Sequence, residues 1–563
     1  MKNWVRYLLI GVIVIISVAV ISIGSIGYYS INFRSEDYNN FNEEEWENPL
    51  NNEGIFDNKE LYNLEEELKV NQFYITILDN QKGNKTFEEI NKANNLYGET
   101  DEKLDIFFET SEDKSILNNG LYIKEANGIL EVRGKDSQKA VQKSYKINLS
   151  DKKGTWNGQS VININKNPFD SVRIRNKLAY DLIAKLDDIT SFRTEFVRVF
   201  IRDLSSEDKD SSEFVDYGFF THIEQPNKIY LKNHGLDPNG QLYKAENFNF
   251  SRYSDVIMQS DNPNYSKKVF EEILEINGDK NHTDLIAMLD AVNNEDIDIN
   301  ETIGKYFDMD NYLTWLAVNI LFDNYQSSSE NLFLYSPLNS QKFYFIPWDF
   351  DEAFGNLKER PKWKIGASLY WDNVIHRRFL SKDENIKLLT EKVEEISNIL
   401  NKEEIRQVLN KYYDIVMANV TKLPDFKYLN VELSKLREEY NGLSNIIEEN
   451  KSYYYKSLKD PMPFKIIETT ITGDSVNIKW TTSYSLEGRD ITYDVYISKD
   501  INFNTVEHKV EGIKNNSIKI DNIASGDHYL KVIAKDSYGN TQISYSIYKE
   551  NDDKFFGIDK LVR

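Results

Sequence analysis

One stretch limits the possible folds more than any other. Four apolar residues, Phe343-Tyr344-Phe345-Ile346, run directly into Pro347 and then Trp348-Asp349-Phe350-Asp351. A run this short with no polar face reads as a strand covered on both sides. Pro347 has no N–H to give to a ladder, so the strand stops there. In the extended segment beyond it, carboxylates at i and i+2 project to one side. The chain must therefore build a domain around a buried strand that delivers two acids at its end. Such a pair has two uses. It caps a turn or a helix, as Asp commonly does after a strand, or it supplies hard oxygen ligands to Mg²⁺ or Mn²⁺ held together with phosphates.

The chain has 563 residues, which calls for three or four units. Its 35 Tyr and 30 Phe are ample for large cores. The net charge of −23 excludes nucleic acid as a general partner, because phosphate backbones require a basic footprint. With no cysteine there is no disulfide or thiolate site, and six histidines without a close pair argue against zinc. From Leu8 to Ile26 there is no charge, with Lys2 and Arg6 before the run and acids after it. That length and flank asymmetry predict a single transmembrane helix with a cytoplasmic N-terminus and the bulk of the chain outside. A cleaved signal peptide is the alternative, although Ser22-Ile23-Gly24 is a weak cleavage site.

Five segments follow from the pattern. Residues 1–34 form the anchor and 35–70 an acidic, Asn-rich stalk. Residues 71–226 are strand-rich, with strands expected at Phe73–Leu78, Ile106–Phe108, Gly120–Ile123, Ile129–Arg133, Lys143–Leu149, Glu195–Ile201 and Gly218–Ile223. One helix, capped by Asp170 and reaching Ile183, interrupts them. Residues 227–460 are mainly helical, with helices expected at Ser266–Ile276, Thr283–Asn293, Asp310–Phe322, Asn385–Leu400, Lys402–Val420 and Val431–Glu449. Residues 461–563 hold short strands at close turn spacing, a β-sandwich similar to fibronectin type III modules, with Trp480 and Tyr529 expected in its core.

Upstream of the two aspartates, a helix ends near Phe322, a polar loop Asp323–Glu330 crosses, and a short strand begins at Asn331. A polar loop, an Asn, a hairpin and a strand running into an Asp is the order in which protein kinases place a base and two metal ligands. Further pieces fall in sequence: Val132–Ser137, Gln142–Ile147, Arg175–Ala179, Gly218–Glu224, Leu242–Lys244, Asn331–Tyr335 and Ile346–Asp351. Together they resemble the CotH family, spore-coat protein H kinases, over roughly residues 72–450. The resemblance implies an α+β, bilobal, atypical protein-kinase-like domain between the anchor and the all-β sandwich.

It also implies roles. Asp349, Asp351 and Asn331 would hold Mg²⁺ or Mn²⁺ against ATP. Lys143 or Lys146 would meet the phosphates, but not both, since strand alternation puts them on opposite faces. Arg133 and Ser137 would line a phosphate-covering loop. Glu224 would contact adenine where the lobes join, or begin a turn; Trp348 would stack near the nucleotide, or serve the core. One position departs from the pattern. Where the family loop carries Asn, an aromatic and then Asp, this chain reads Asn324-Tyr325-Gln326. An amide cannot take a proton, which leaves Asp323 or Glu330 to substitute. Two functional readings remain: a membrane-anchored, ATP-dependent kinase acting on Ser, Thr or Tyr of surface or spore-coat proteins, and a pseudokinase serving as an assembly partner. A purely structural exoprotein is the third.

Overall fold

Strand alternation in the first half of the chain closes a sheet on itself. The computed structural model describes residues 55–563 except 63–66, 80–85, 93–101, 113–124, 135–136, 152, 206–212, 356, 358–359 and 552. The proposed anchor, residues 35–54 and 63–66 of the proposed stalk, the strand expected at 120–123 and part of the 132–137 piece lie outside the described residues. Among the described residues no helix is long and apolar enough to cross a membrane. Seven strands form the barrel: β1 (Val70–Ile77), β2 (Lys103–Thr110), β3 (Gly128–Arg133), β4 (Ser144–Leu149), β5 (Val161–Asn165), β6 (Thr194–Asp203) and β7 (Val215–Glu224). Their order is β1-β2-β3-β4-β5-β7-β6, and a parallel β1–β6 pairing completes the ring. The sequence reading lacked β5, the strand that joins β4 to β7.

The barrel interior takes every second residue. Leu130, Val132, Tyr145, Ile147, Ile162 and Ile164 point inward and are buried together. Their neighbours Glu131, Arg133, Lys146, Asn163 and Asn165 therefore lie on the outer face of β3–β4–β5. Helix α1 (Arg175–Ile183) starts four residues later than expected, with Ile174 and not Asp170 at its N-cap. Asp170 instead closes the preceding turn, accepting from the backbone N–H of Val172 at 3.1 Å and of Arg175 at 2.9 Å. Short polar side chains compete for local N–H groups in this way before a helix begins.

The second half is built on a four-stranded sheet in the order β11-β10-β8-β9: β8 (Gln241–Ala245), β9 (Leu274–Ile276), β10 (Leu332–Ser336) and β11 (Tyr344–Pro347). Every residue of β10 and β11 is buried. Helix α2 is Thr283–Asn293. The edge of β11 is finished by a side chain: Asn311, on α3 (Met309–Leu321), accepts from Phe345 N–H at 2.7 Å and donates to Phe345 C=O at 3.1 Å. The helix expected over Ser266–Ile276 is a single turn, Lys267–Phe270, followed by β9 on the edge of β8. The pairing slot beside β8 overrides local propensity there. After α4 (Asp383–Ile399) and α5 (Lys402–Val420), the helix expected over Val431–Glu449 is two: α6 (Leu433–Gly442) and α7 (Ile446–Ser457). They are split by a tight turn after Gly442, the weakest helix former in the run.

The last segment forms two packed sheets, β12-β13-β16 and β15-β14-β17-β18 with β21 on β17. Here β12 is Ile466–Thr472, β13 Ser475–Trp480, β14 Ile491–Ser498, β15 Val506–Ile513, β16 Ser517–Ile520, β17 Asp527–Asp536 and β18 Thr541–Ile543; β19 (Ile547–Glu550) and β20 (Asp553–Phe556) form a hairpin before β21 (Ile558–Val562). Trp480 is in the shared core with Tyr493, Leu530 and Val532. Tyr529 is not. Alternation along β17 turns it outward, half-buried, against Tyr548.

The barrel and the half of the chain that follows it meet at buried polar contacts. Lys166 pairs with Asp425 at 2.7 Å, both with side chains 1% exposed, and Asp425 also accepts from Phe219 N–H at 2.8 Å. Gly218, at φ +91°, stands where any Cβ would strike that carboxylate.

Candidate functional site

Three short polar residues at the candidate site sit in left-handed backbone: Asp323 (φ 53°), Asn331 (φ 55°) and Asp349 (φ 55°). Asn and Asp tolerate that region better than other side chains, so these positions are locally encoded. Neighbours hold the strained backbone in place. Trp348 N–H donates to Asn331 C=O at 3.1 Å, tying the start of β10 to the end of β11. Asn324 Nδ2 donates to Asn319 Oδ1 at 3.0 Å and to Trp348 C=O at 3.4 Å. One turn of α1 receives the acidic segment: Phe350 N–H donates to Asn176 Oδ1 at 2.8 Å and Asp349 N–H to Tyr180 Oη at 3.0 Å. Arg175, held by Asp170, donates to the carbonyls of Ala353 (2.6 Å) and Phe354. The Arg175-Asn176 piece of the sequence thus positions the two aspartates.

Between the barrel and the second sheet lies a polar cleft of about 510 Å³. Its roof is the outer face of β3–β4–β5, bringing in Arg133, Lys146, Asn163 and Asn165, with Ser137 beside them. Its floor carries Asn331, Trp348, Asp349 and Asp351, with Gln326, Glu330 and Glu352 at one side. That volume suits a ligand of nucleotide size.

The charges are arranged in opposition. Burial first, then the charge of Asp349 with which it shares a hydrogen bond, pushes the Asp351 carboxyl well above the usual range. Two carboxylates this close resist ionising together, and a divalent cation removes the conflict. Across the cleft, burial lowers the Arg133 guanidinium while Asp349 and Asp351 pull it back up. The donor set fits a hard cation. Asn331 Nδ2 donates to Gln326 Oε1 at 2.8 Å, which leaves its amide oxygen free of that bond, and Asn331 lines the same cleft as the two acids. Among the described residues no cluster of three or more His, Cys, Asp or Glu could hold a metal alone. Two carboxylates and an amide are the sparse set Mg²⁺ uses when phosphates complete its shell.

Three expected residues do not line the cleft. Lys143 is buried outside it, donating to Gln138 C=O, and it lines a separate cavity with Tyr145 and Tyr217. Of the two lysines, Lys146 faces the cleft. Glu224 is bound by Arg193 and, at 3.0 Å, by His234 Nε2; these partners overcome burial and hold its carboxyl at about 2. Asp323 is paired with Arg360 at 2.9 Å, and burial outweighs that pairing, raising its carboxyl to about 7. Gln326 is in the cleft as an amide, donating to Glu352 at 3.2 Å. Trp348 is 7% exposed, packed against Phe192 and Phe333 while its remaining edge lines the cleft.

Sequence reasoning missed Asn163, Gln225 and Glu352 as cleft residues. Glu352 could have been found, as the next acid after Asp351. Asn163 required β5, whose alternation Val161-Asn163-Asn165 against Ile162-Ile164 was the available signal.

Residues 130–454 match the family model described as CotH kinase protein. The match begins in β3 and ends in α7, before the sandwich. The inner spore coat protein H of Bacillus subtilis (strain 168) is 27% identical over 227 residues, covering 40% of this chain. The chain spans 58% of that relative's length.

Proposed function

Because the chain belongs to the CotH kinase protein family, we propose that its cleft binds ATP with Mg²⁺ or Mn²⁺ and transfers the γ-phosphate to a Ser, Thr or Tyr hydroxyl of a surface or spore-coat protein. The observation that carries this reading is the convergence of Asn331, Asp349 and Asp351 opposite Arg133 and Lys146 in one cleft. A bound divalent cation would neutralise phosphate charge there. Arg133 and Lys146 meet the phosphate oxygens from the roof, beside Ser137, whose hydroxyl donates to Arg133 C=O at 2.8 Å. The relative's place in the inner spore coat favours the coat or cell surface as the working location, with residues 1–34 as a membrane anchor.

Glu352 takes the place in space that Gln326 leaves empty in sequence. Tyr325 Oη and Gln326 Nε2 both donate to it, and Gln326 in turn holds Asn331. In this reading the acceptor oxygen forms a bond to the γ-phosphorus, the bond to the β,γ-bridging oxygen breaks, ADP leaves, and the hydroxyl proton passes to Glu352. Phosphoryl transfer depends mainly on positioning and charge neutralisation, so a base brought from a neighbouring loop suffices. Gln326 also favours a second reading, a pseudokinase that binds nucleotide and assembles with coat proteins without transfer. Radiolabelled ATP with Mg²⁺ or Mn²⁺ and a generic acceptor tests the first, and thermal shift with the same nucleotide and metal tests binding. Transfer lost in Asp349→Ala supports the kinase. A shift without transfer supports the pseudokinase, and no shift with any nucleotide overturns both.

A further inference from the structure

The loop that carries Gln326 is fastened to the C-terminal sandwich. The link is the segment 360–373, which touches the loop with some side chains and the sandwich with their neighbours. Arg360 lies over the Tyr325 ring at 3.8 Å and pairs with Asp323 at 2.9 Å, and Lys364 lies over the same ring at 4.8 Å. Between them, Lys362 Nζ donates to Thr541 C=O on β18 at 2.9 Å and pairs with Asp460 at 3.1 Å. Trp363 is buried edge-on against Tyr545, with ring centroids 5.3 Å apart. Lys362–Lys364 form one tight helical turn of about three residues, so successive side chains diverge and a single turn serves both neighbours.

The other end of the segment repeats the arrangement. Tyr370 Oη shares a hydrogen bond with Ser327 Oγ at 2.9 Å, and Asn373 Nδ2 donates to Ser328 C=O at 2.8 Å. The two residues between them meet the sandwich side: Trp371 stacks on Tyr484 at 5.5 Å, and Asp372 pairs with Lys465. A densely packed segment passes a displacement on instead of absorbing it. The loop in turn reaches the cleft. Tyr325 Oη and Gln326 Nε2 donate to Glu352, and Gln326 Oε1 accepts from Asn331.

We propose that the sandwich is the clamp that fixes the Asp323–Glu330 loop in the geometry used for transfer, with Lys362, Trp363 and Trp371 as positioning residues. The chemical consequence rests on the transfer reading above; the clamp itself rests on the contacts. Arg360 and Lys364 hold the Tyr325 ring, and that ring aims its hydroxyl at Glu352. When the clamp slackens, Glu352 loses its two donors for part of the time, and a misplaced base costs rate. Asp349 and Asp351 are less affected, because α1 tethers their segment through Asn176 and Tyr180. The sandwich is thereby a working part of the site and more than a spacer.

The test cuts the clamp on the sandwich side. Tyr545→Ala takes the ring away from Trp363, and Tyr545 does not line the cleft. In the full chain, hydrogen exchange read by mass spectrometry should show amides 323–331 exchanging about ten-fold faster, with β3–β5 unchanged. Tyr545→Phe keeps the ring, and among the described residues Tyr545 Oη has no hydrogen-bond partner, so this variant should exchange like wild type. In phosphate transfer, Tyr545→Ala should lower kcat about ten-fold and leave KM for Mg-ATP within about two-fold. Unchanged exchange over 323–331 overturns the proposal. A rise that spreads to β3–β5 overturns it as well, since that marks general loosening, and so does an unchanged kcat. Absence of transfer in wild type overturns the kinase reading, while the exchange comparison still decides the clamp. If Tyr545→Ala fails to fold, Lys362→Met, which keeps the aliphatic stem, is read by the same exchange measurement.

Discussion

Asn176→Ala should damage the site although Asn176 does not itself line the cleft. Asn176 is fully buried on α1, and its Oδ1 is the acceptor for Phe350 N–H at 2.8 Å, between the two aspartates. Truncation removes the acceptor and leaves that N–H dry, because Phe350 is buried as well. An unsatisfied buried donor costs about 1–3 kcal/mol, and we expect about 2. Tyr180→Phe removes the parallel acceptor of Asp349 N–H. Asp349 is half-buried and water can replace part of that bond, so about 1 kcal/mol is expected. Both losses fall on one strained segment whose φ of 55° at Asp349 depends on its tethers, so the double variant should not be additive. Once released, the segment spends part of its time in other conformations, and apparent affinity falls by the fraction lost. A segment competent about a tenth of the time gives about ten-fold weaker Mg-ATP binding. Urea unfolding followed by tryptophan fluorescence reads the first quantity and calorimetric titration with Mg-ATP the second. A variant within about 0.5 kcal/mol of wild type, with unchanged Mg-ATP affinity, would refute the positioning role of α1.

Four further outcomes follow from the same geometry. Lys146→Met should weaken Mg-ATP binding about ten-fold, whereas Lys143→Met should leave the titration unchanged, since Lys143 lies outside the cleft. Glu352→Gln keeps its hydrogen bonds, so Mg-ATP affinity should hold while phosphate transfer falls by about 10²–10⁴; Glu330→Gln should retain transfer. His234 lies between Asp57 at 2.7 Å and Glu224 at 3.0 Å. Burial lowers its pKa, but these carboxylates more than offset that and hold it above the ordinary value. The pair contribution is therefore full below about pH 6.5 and is lost as pH rises through the raised value. The stability difference between wild type and His234→Gln should shrink between acidic and alkaline denaturation series. Lys166→Met leaves Asp425 charged and buried, and should lower the unfolding free energy by about 3–5 kcal/mol in a urea titration.

What could be read in the sequence followed from periodicity and from short-range stereochemistry. β11 and the strands around Tyr145 and Phe219 came directly from their apolar patterns. The closure of the barrel did not, because it depends on β5, five residues long with an Asn at its centre. The same strand explains the lysine choice. Alternation showed that Lys143 and Lys146 cannot share a face; only the β4–β5 register, which sets Lys146 opposite Asn163, shows which face borders the cleft. Long-range pairing also turned Ser266–Ile276 from helix into a turn and β9, where the edge of β8 offered a better partner than the helix's own backbone.

The departure at Gln326 shows the limit of reading a site by position. A motif counts residues along a loop, but proton transfer depends on where a carboxylate ends in space. Gln326 extends from the expected place, donates to Glu352 beyond the end of β11 and accepts from Asn331, and all three line the cleft. The loss of an acid at one position and the presence of another 26 residues later are a single arrangement in the folded chain. If the base has moved in this way, Gln326→Asp should add little to the transfer rate, because it sets a second carboxylate against Glu352 instead of filling a gap. A large gain in Gln326→Asp, with Glu352→Gln silent, would show that the position along the loop was decisive after all.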